Sequence, residues 1–361
     1  METPSQKKWI YVVLAFIGIV IIAFLFGQKW LASYYINLGR KNLAAGDYRT
    51  AETNFTTALK FAKSNPVIFF YLGNVAMGPL VRASDTPWPQ ADFSKAATYY
   101  DTAVILGLDK ASSVAYSSAL ENAGFAYWSL KQYDQSDEKY RAKIAAFPDS
   151  SFWARFFVAQ DDFERLNKAQ EALDVLVKAP DASDAETWFL YRIDTLIARL
   201  YFYEKDLTNA RKYAELAISN AADSVIDGNV QIAHLVLAQE LATQKKLKEA
   251  LVEYDKAATF AKKDTGSDET LRCGLSKIYL LSGDSKKAAQ TAESVVSAKI
   301  TFDYPSSICI DTLVRTNLAA KNKAEAKKYM QQYLAATDTF EQKNIFVMRN
   351  REEFAKILSG L

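Results

Sequence analysis

A recurring spacing of small residues constrains the fold of this chain more than any other feature. Gly39 is followed twelve positions later by Ala51, then four later by Phe55 and three later by Ala58, with the turn sequence AAGDY between them. The spacing recurs at Ala198, Ala210, Ala214 and Ala217, at Ala238, Ala250, Tyr254 and Ala257, at Ser276, Ala288, Ala292 and Val295, and, except at its last residue, at Gly124, Ser136, Tyr140 and Lys143. Small residues on facing helices let two backbones approach closely while a large side chain fills the space beside them. The pattern therefore predicts antiparallel helix pairs that recur along the chain.

This pattern resembles the tetratricopeptide repeat (TPR), a pair of antiparallel helices. Weaker copies run through Ala169, Leu173 and Leu176 and through Ala326, Met330 and Tyr333. The resemblance covers about residues 32–335 and implies an all-α solenoid of about eight TPR-like helix pairs. Each pair has an apolar face that it cannot bury alone, so neighbouring pairs are expected to stack.

A second feature is the uncharged run WIYVVLAFIGIVIIAFLFG at residues 9–27. Nineteen residues in a helix cover about 28 Å, close to the hydrocarbon thickness of a bilayer. Trp9, Lys29 and Trp30 flank the run, and such side chains favour the membrane–water interface. The run predicts one N-terminal transmembrane helix. A buried core helix and a cleavable signal peptide are the alternatives, although a signal peptide usually has a shorter apolar region.

The chain divides into four predicted segments on this interpretation: a tail at 1–8, an anchor at 9–28, the solenoid at 29–335 and a C-terminal capping helix at 336–361. No proline occurs between Pro4 and Pro66, which predicts one continuous helix from about Trp9 to Ala45. A proline-rich insert at 77–93, containing Trp88, separates Gly73 from its partner Ala96 and predicts a loop.

Catalytic and metal sites are not expected. His234 is the one histidine in the chain and occupies a packing position of the repeat, so neither a two-histidine zinc site nor a serine–histidine system is available. Cys273 and Cys309 lie on successive first helices and could approach each other, but buried free thiols are the preferred prediction. The chain has 44 Lys+Arg against 42 Asp+Glu, interspersed, and this balance argues against nucleic acid, whose binding needs a clustered basic face. No cofactor and no small-molecule substrate is predicted.

Partner proteins are expected in the groove that first helices line in TPR arrays. Helical periodicity places one stripe of side chains on that face. The predicted stripe comprises Ile36, Arg40, Phe70, Asn74, Phe125, Trp128, Arg192, Arg199, Phe202, Lys277 and Arg315. Its aromatic and cationic character suits an extended peptide with some acidic side chains. The alternative is that these aromatics pack between repeats.

These observations predict a membrane-anchored, non-enzymatic scaffold or adaptor. The alternatives are a cytosol-facing receptor of co-chaperone type and an accessory subunit of a membrane enzyme complex. The expected location is a bacterial inner membrane, with one membrane pass and with the repeats outside the cytoplasm. Lysines flank the run on both sides, so the charge rule for orientation is close to a tie and the cytoplasm-facing arrangement stays open.

Overall fold

A computed structural model describes residues 17, 26–78, 91–166, 168–178, 189–221, 228–261, 267–296, 304–337 and 345–360. These residues form α-helices joined by short turns. Their contacts divide the chain into two compact units, Met1–Pro148 and Asp149–Leu361. The repeat spacing does not predict this division.

Unit 1 contains three helix pairs. Its helices are α1 (26–44), α2 (Tyr48–Phe61), α3 (Pro66–Met77), α4 (Phe93–Ile105), the short α5 (Leu108–Ala111), α6 (Ser113–Ser129) and α7 (Tyr133–Ala146). The pairs are α1 with α2, α3 with α4, and α6 with α7, and α5 lies in the linker between the second and third pairs.

Unit 2 contains five pairs and a final helix. They are α8 (Phe152–Glu164) with α9 (Ala169–Val177), α10 (Leu190–Tyr203) with α11 (Leu207–Asn220), α12 (Gly228–Thr243) with α13 (Leu247–Ala261), α14 (Ser267–Ser282) with α15 (Ser285–Val296), and α16 (Tyr304–Ala319) with α17 (Lys323–Thr337), followed by α18 (Ile345–Ser359). First helices of successive pairs also contact one another, α10 with α12, α12 with α14, and α14 with α16. The predicted helical-repeat solenoid is thus confirmed, with eight pairs in the described residues.

The second helices α2, α4 and α11 begin at aspartate caps that the sequence supplies. The carboxylates of Asp47, Asp92 and Asp206 accept hydrogen bonds from the backbone N–H groups of Thr50, Lys95 and Asn209. Such caps satisfy donors that the first turn of a helix leaves unpaired. The turn before the second helix carries one residue with positive φ in six pairs: Gly46, Lys131, Lys205, Lys245, Gly283 and Lys321. This left-handed residue ends the first helix and lets the chain reverse.

The close approach of paired helices is clearest in unit 1. A β-carbon added to Gly39, Gly73 or Gly124 would lie 2.6–2.7 Å from the ring of Phe55, Tyr100 or Tyr140, respectively. Each of these rings is at most 1% exposed and lies against the glycine of its partner helix. In the α10–α11 pair of unit 2, the corresponding positions of the repeat are Ala198, Ala210 and Ala214. All three are fully buried.

Helix α18 packs on the last pair. The Phe354 side chain is fully buried with its ring 5.2 Å from that of Tyr333, and the Tyr333 hydroxyl donates a 3.0 Å hydrogen bond to the carbonyl of Val347. Helix α18 also contacts α8, the first helix of the same unit.

The predicted anchor lies largely outside the described residues. In the part that the structure describes, no helix is long and apolar enough to cross a membrane. Residues 9–25, with Trp9, are not described apart from Ile17, while residues 26–44 form one helix that continues without a break through Gly27.

Most of the proline-rich insert, with Trp88, also lies outside the described residues. Its two ends meet, because the backbone N–H of Asp92 donates a 2.9 Å hydrogen bond to the carbonyl of Ala76. The insert therefore leaves and rejoins unit 1 at one point.

Candidate functional site

The candidate site is the surface of the first helices, and the structure distributes its predicted residues unevenly. Phe70 is only 8% exposed, and its ring contacts those of Tyr71 and Tyr100. It belongs to the core cluster that α3, α4 and α6 share, so packing within its own pair and against the third pair buries it. Its predicted groove role is therefore corrected to core packing.

Asn74 is held in a polar network inside unit 1. The buried Tyr100 hydroxyl donates a 2.8 Å hydrogen bond to Asn74 Oδ1, and Asn122 Nδ2 donates to the Tyr100 oxygen at 3.3 Å. Burial raises the pKa of Tyr100 far above its usual range, so the phenol stays neutral and keeps its donor. The network joins α3, α4 and α6, and Asn74 positions helices in it.

Phe125 and Trp128 form the most accessible part of the predicted stripe. Their rings stack with centroids 6.3 Å apart, and Phe93 meets the Phe125 ring edge-on at 6.0 Å. Trp128 is 39% exposed, whereas Phe125 is partly buried against the core of unit 1. An exposed tryptophan braced by a second aromatic ring is a typical anchor for a partner protein.

The two predicted groove arginines of α10 already have partners within the chain. Arg199 Nη1 lies 2.8 Å from Glu164 Oε1 on the preceding first helix, and its guanidinium lies over the Phe163 ring. Arg192 donates to the Tyr191 hydroxyl and lies over the Phe189 ring. The side chain of Phe202 packs at the edge of the core between α10 and α12.

A second group of charges joins the last first helices to α18. Lys277 Nζ lies 2.7 Å from Asp311 Oδ2, and Arg315 donates to Asp311 and, with one nitrogen, to both oxygens of Glu353. These pairs tie α14, α16 and α18 together. Because carboxylates within the chain pair with Arg199, Lys277 and Arg315, these three cations are weaker candidates for binding acidic partners than the sequence indicated.

The sequence did not predict two features of unit 2, of which the first is a disulfide. Cys273 and Cys309 are bonded between α14 and α16, with Cα atoms 4.9 Å apart. The prediction of free thiols is therefore wrong. Both residues are fully buried, but stacking of successive first helices brings them within bonding distance.

His234 lies in the core, as its packing position in the repeat predicts, with Nδ1 2.8 Å from Glu253 Oε2.

The second feature is a buried carboxylate, Asp194, on α10. It is 8% exposed, and Asn220 Nδ2 donates to it at 2.8 Å. Burial raises the pKa of Asp194 to about 6, and the Asn220 hydrogen bond only partly opposes this. Among the described residues, no three His, Cys, Asp or Glu side chains come together in a way that could hold a metal ion.

Replacing Asp194 with Asn should stabilise unit 2 in a pH-dependent way. The folded pKa lies above the value of about 3.9 for an unfolded chain, so the stability that protonated Asp194 contributes is lost as pH rises from about 4 through 6. Asp194→Asn should raise the free energy of unfolding by about 1–3 kcal/mol at pH 8. The gain should vanish below pH 4. Denaturant titrations followed by circular dichroism at both pH values measure this, and an equal change at both would assign the effect to packing.

Comparison with known proteins gives distant structural similarities and no sequence family. No protein-family profile matches the chain, and no curated protein matches it either. Solved structures similar to it include a tetratricopeptide repeat protein from Parabacteroides merdae, with 16% identity over 80% of this chain and 99% of that one and a TM-score of 0.46. PilF of Pseudomonas aeruginosa shows 15% identity over 67% and 95%, with a TM-score of 0.46. The apo form of the quorum sensor NprR from B. thuringiensis shows 14% over 99% and 93%, with a TM-score of 0.47.

The internal geometry decides the fold class. Antiparallel pairs recur, a small residue of each unit 1 first helix faces a buried ring of the second, and first helices stack on first helices. The chain is therefore an all-α solenoid of repeated helix pairs, with the packing that the TPR-like spacing predicts.

Proposed function

We propose that this TPR chain is a non-enzymatic adaptor that one N-terminal helix anchors in a membrane and that binds partner proteins through its first-helix surface. The uncharged run at 9–27 carries the membrane part of the proposal. It leads directly into α1, whose first described turns expose three aromatic side chains four residues apart. Phe26 is 70% exposed, Trp30 66% and Tyr34 48%, and the Trp30 and Tyr34 rings stack at 5.8 Å. Exposed aromatic side chains of this kind are typical of a membrane–water interface.

The disulfide supports an orientation with the repeats outside the cytoplasm. Disulfides persist in oxidising compartments such as the bacterial periplasm, and cytosolic thiols are kept reduced. The Cys273–Cys309 bond therefore favours an extracytoplasmic solenoid over a cytosol-facing receptor. An accessory subunit of a membrane enzyme complex would use the same anchor and surface, so the adaptor proposal includes it as a special case.

Fusions to the C-terminus test the orientation. A reporter that is active only in the periplasm, fused after Leu361, should be active, and the full chain should sediment with membranes and resist extraction by salt. Removing residues 1–25 should release it. A silent periplasmic reporter together with a fluorescent cytoplasmic one would reverse the orientation, and a full chain in the soluble fraction would contradict the anchor.

Trp128→Ala tests the partner surface. Co-purification of the detergent-extracted full chain, followed by mass spectrometry, identifies partners. We expect Trp128→Ala to weaken the main complex by roughly tenfold or more. The free energy of unfolding should change by less than about 1 kcal/mol, because the side chain is partly exposed. Val252→Ala, at an apolar residue of α13 that is 54% exposed, is the matched control. Equal effects of both substitutions on the complex would remove Trp128 from the partner surface.

A further inference from the structure

One edge of unit 1 can be placed relative to the predicted membrane from helix directions alone. Helices α1 and α2 are antiparallel, and Tyr35 of α1 stacks on Phe61 near the end of α2 with ring centroids 6.1 Å apart. The end of α2 is therefore level with residues 34 and 35 of α1. From Gly27 to Tyr34 is seven residues, or about 10 Å of helix.

The second helix of the next pair ends at a similar height. Lys95 near the start of α4 forms a 2.5 Å ion pair with Glu52 near the start of α2, so these second helices run side by side. Ten residues further along each helix lie Ala62 and Ile105, which are consequently at similar heights. The α2–α3 and α4–α6 linkers thus lie on the same side of unit 1 as the N-terminal half of α1. We call this side the linker edge.

The linker edge exposes apolar side chains at its linker tips. Ile105 is 83% exposed at the end of α4, and Val114 is 79% exposed in the first turn of α6. Leu106, between them, is 36% exposed. Single exposed aliphatic residues are common on soluble proteins. These three lie within ten residues of sequence, at the height where α1 exposes Tyr34.

The charge of the linker edge is positive. Lys60 and Lys63 at the end of α2 and Lys110 in α5 are exposed, against Asp109 as the carboxylate of these two linkers. Lysines beside exposed apolar and aromatic side chains match a surface with anionic headgroups over an apolar layer. An acidic protein surface would match the lysines but would leave Ile105 and Val114 in contact with charge.

We propose that the linker edge rests on the headgroup layer of an anionic phospholipid bilayer. This rests on the proposed anchor, because the run at 9–27 sets the height of α1. The interfacial layer extends roughly 5–7 Å beyond the hydrocarbon on each side, and α1 reaches the level of the linker edge about 10 Å beyond Gly27. Lys63, Ile105, Lys110 and Val114 are exposed near that level, and long lysine side chains can reach the headgroups from it. The edge and the single helix together would fix the orientation of unit 1 on the membrane.

Site-specific labels in the full chain test the contact. The native cysteines are buried and joined, so a thiol-reactive environment-sensitive fluorophore labels only an introduced cysteine. We use Ile105→Cys and Val114→Cys, with Gln132→Cys in the exposed α6–α7 turn at the opposite edge as the matched control. Each variant is reconstituted in vesicles of phosphatidylcholine and phosphatidylglycerol. A headgroup-attached quencher should quench labels 105 and 114 at least about twofold more than label 132.

Charge reversal separates the edge from the anchor. Lys63→Glu with Lys110→Glu should abolish the excess quenching at label 105 while the protein still floats with the vesicles. Equal quenching at 105 and 132 in floating protein would overturn the linker-edge proposal and leave the anchor intact. Protein that does not float would overturn the anchor itself. Labels that are exposed in pure lipid but shielded in native membranes would overturn the lipid contact in favour of a protein partner.

Discussion

Replacing both cysteines with alanine should lower the free energy of unfolding of unit 2 by about 2–4 kcal/mol. The bridge joins residues 36 positions apart, and closing a loop of this length in the unfolded chain corresponds to about 4 kcal/mol in the chain-entropy model. Cys273→Ala with Cys309→Ala removes this constraint and leaves two methyl groups in a fully buried site. Denaturant titration of the detergent-purified full chain, monitored by circular dichroism, gives the change.

A reductant supplies the control for this prediction. Added during unfolding, it should destabilise the wild type by a similar amount and leave the double variant unchanged. Thiol titration of the denatured, unreduced wild type should detect no free thiol, because the chain has two cysteines and both are paired. Detection of two free thiols in protein isolated from its native compartment would contradict both the bridge and the orientation that it supports.

Tyr100→Ala should destabilise unit 1 by about 3–5 kcal/mol. The ring is fully buried and fills the space beside Gly73, and its hydroxyl joins Asn74 to Asn122. Truncation therefore leaves both a cavity and two amides without their shared partner. Thermal and denaturant unfolding of the full chain should show the loss as an early transition.

Two variants divide this effect into its parts. Tyr100→Phe keeps the ring and removes the hydroxyl, so it should cost only about 1–2 kcal/mol. Gly73→Ala should cost about 1–3 kcal/mol in the wild type, because its β-carbon would lie 2.6 Å from the ring, and much less beside Tyr100→Ala. Costs that simply add would show that Gly73 and Tyr100 do not pack as a unit.

The helix packing also separates two uses of aromatic residues that a helical stripe cannot distinguish. Phe70 lies three residues before Gly73, and Trp128 lies four residues after Gly124. These two offsets differ by seven residues, which is about two helical turns, so Phe70 and Trp128 occupy the same face of their helices. Yet Phe70 is 8% exposed and Trp128 is 39% exposed. Burial depends on what neighbouring helices contribute, and Tyr100 covers Phe70. The prediction of a partner surface therefore narrows to Trp128 and the side chains around it.

The repeat spacing by itself determined the secondary structure and the pairing of helices. Helical periodicity and close packing are local, so the spacing of Gly39 and Phe55, or of Gly124 and Tyr140, is enough to predict an antiparallel pair. The turn residues and the aspartate caps are local as well. The position and length of the uncharged run at 9–27 likewise belong to the sequence, and they motivate the proposed anchor.

Contacts between pairs were decided only by the tertiary structure. The spacing of Cys273 and Cys309 places them on successive first helices, but stacking brings their Cα atoms to 4.9 Å. Packing between neighbouring helices also neutralises Arg199 with Glu164, buries Asp194 and covers Phe70. The pattern of contacts also divides the solenoid into two units after Pro148. These outcomes depend on how neighbouring helices pack, to which many side chains contribute at once, so they leave no short pattern in the sequence.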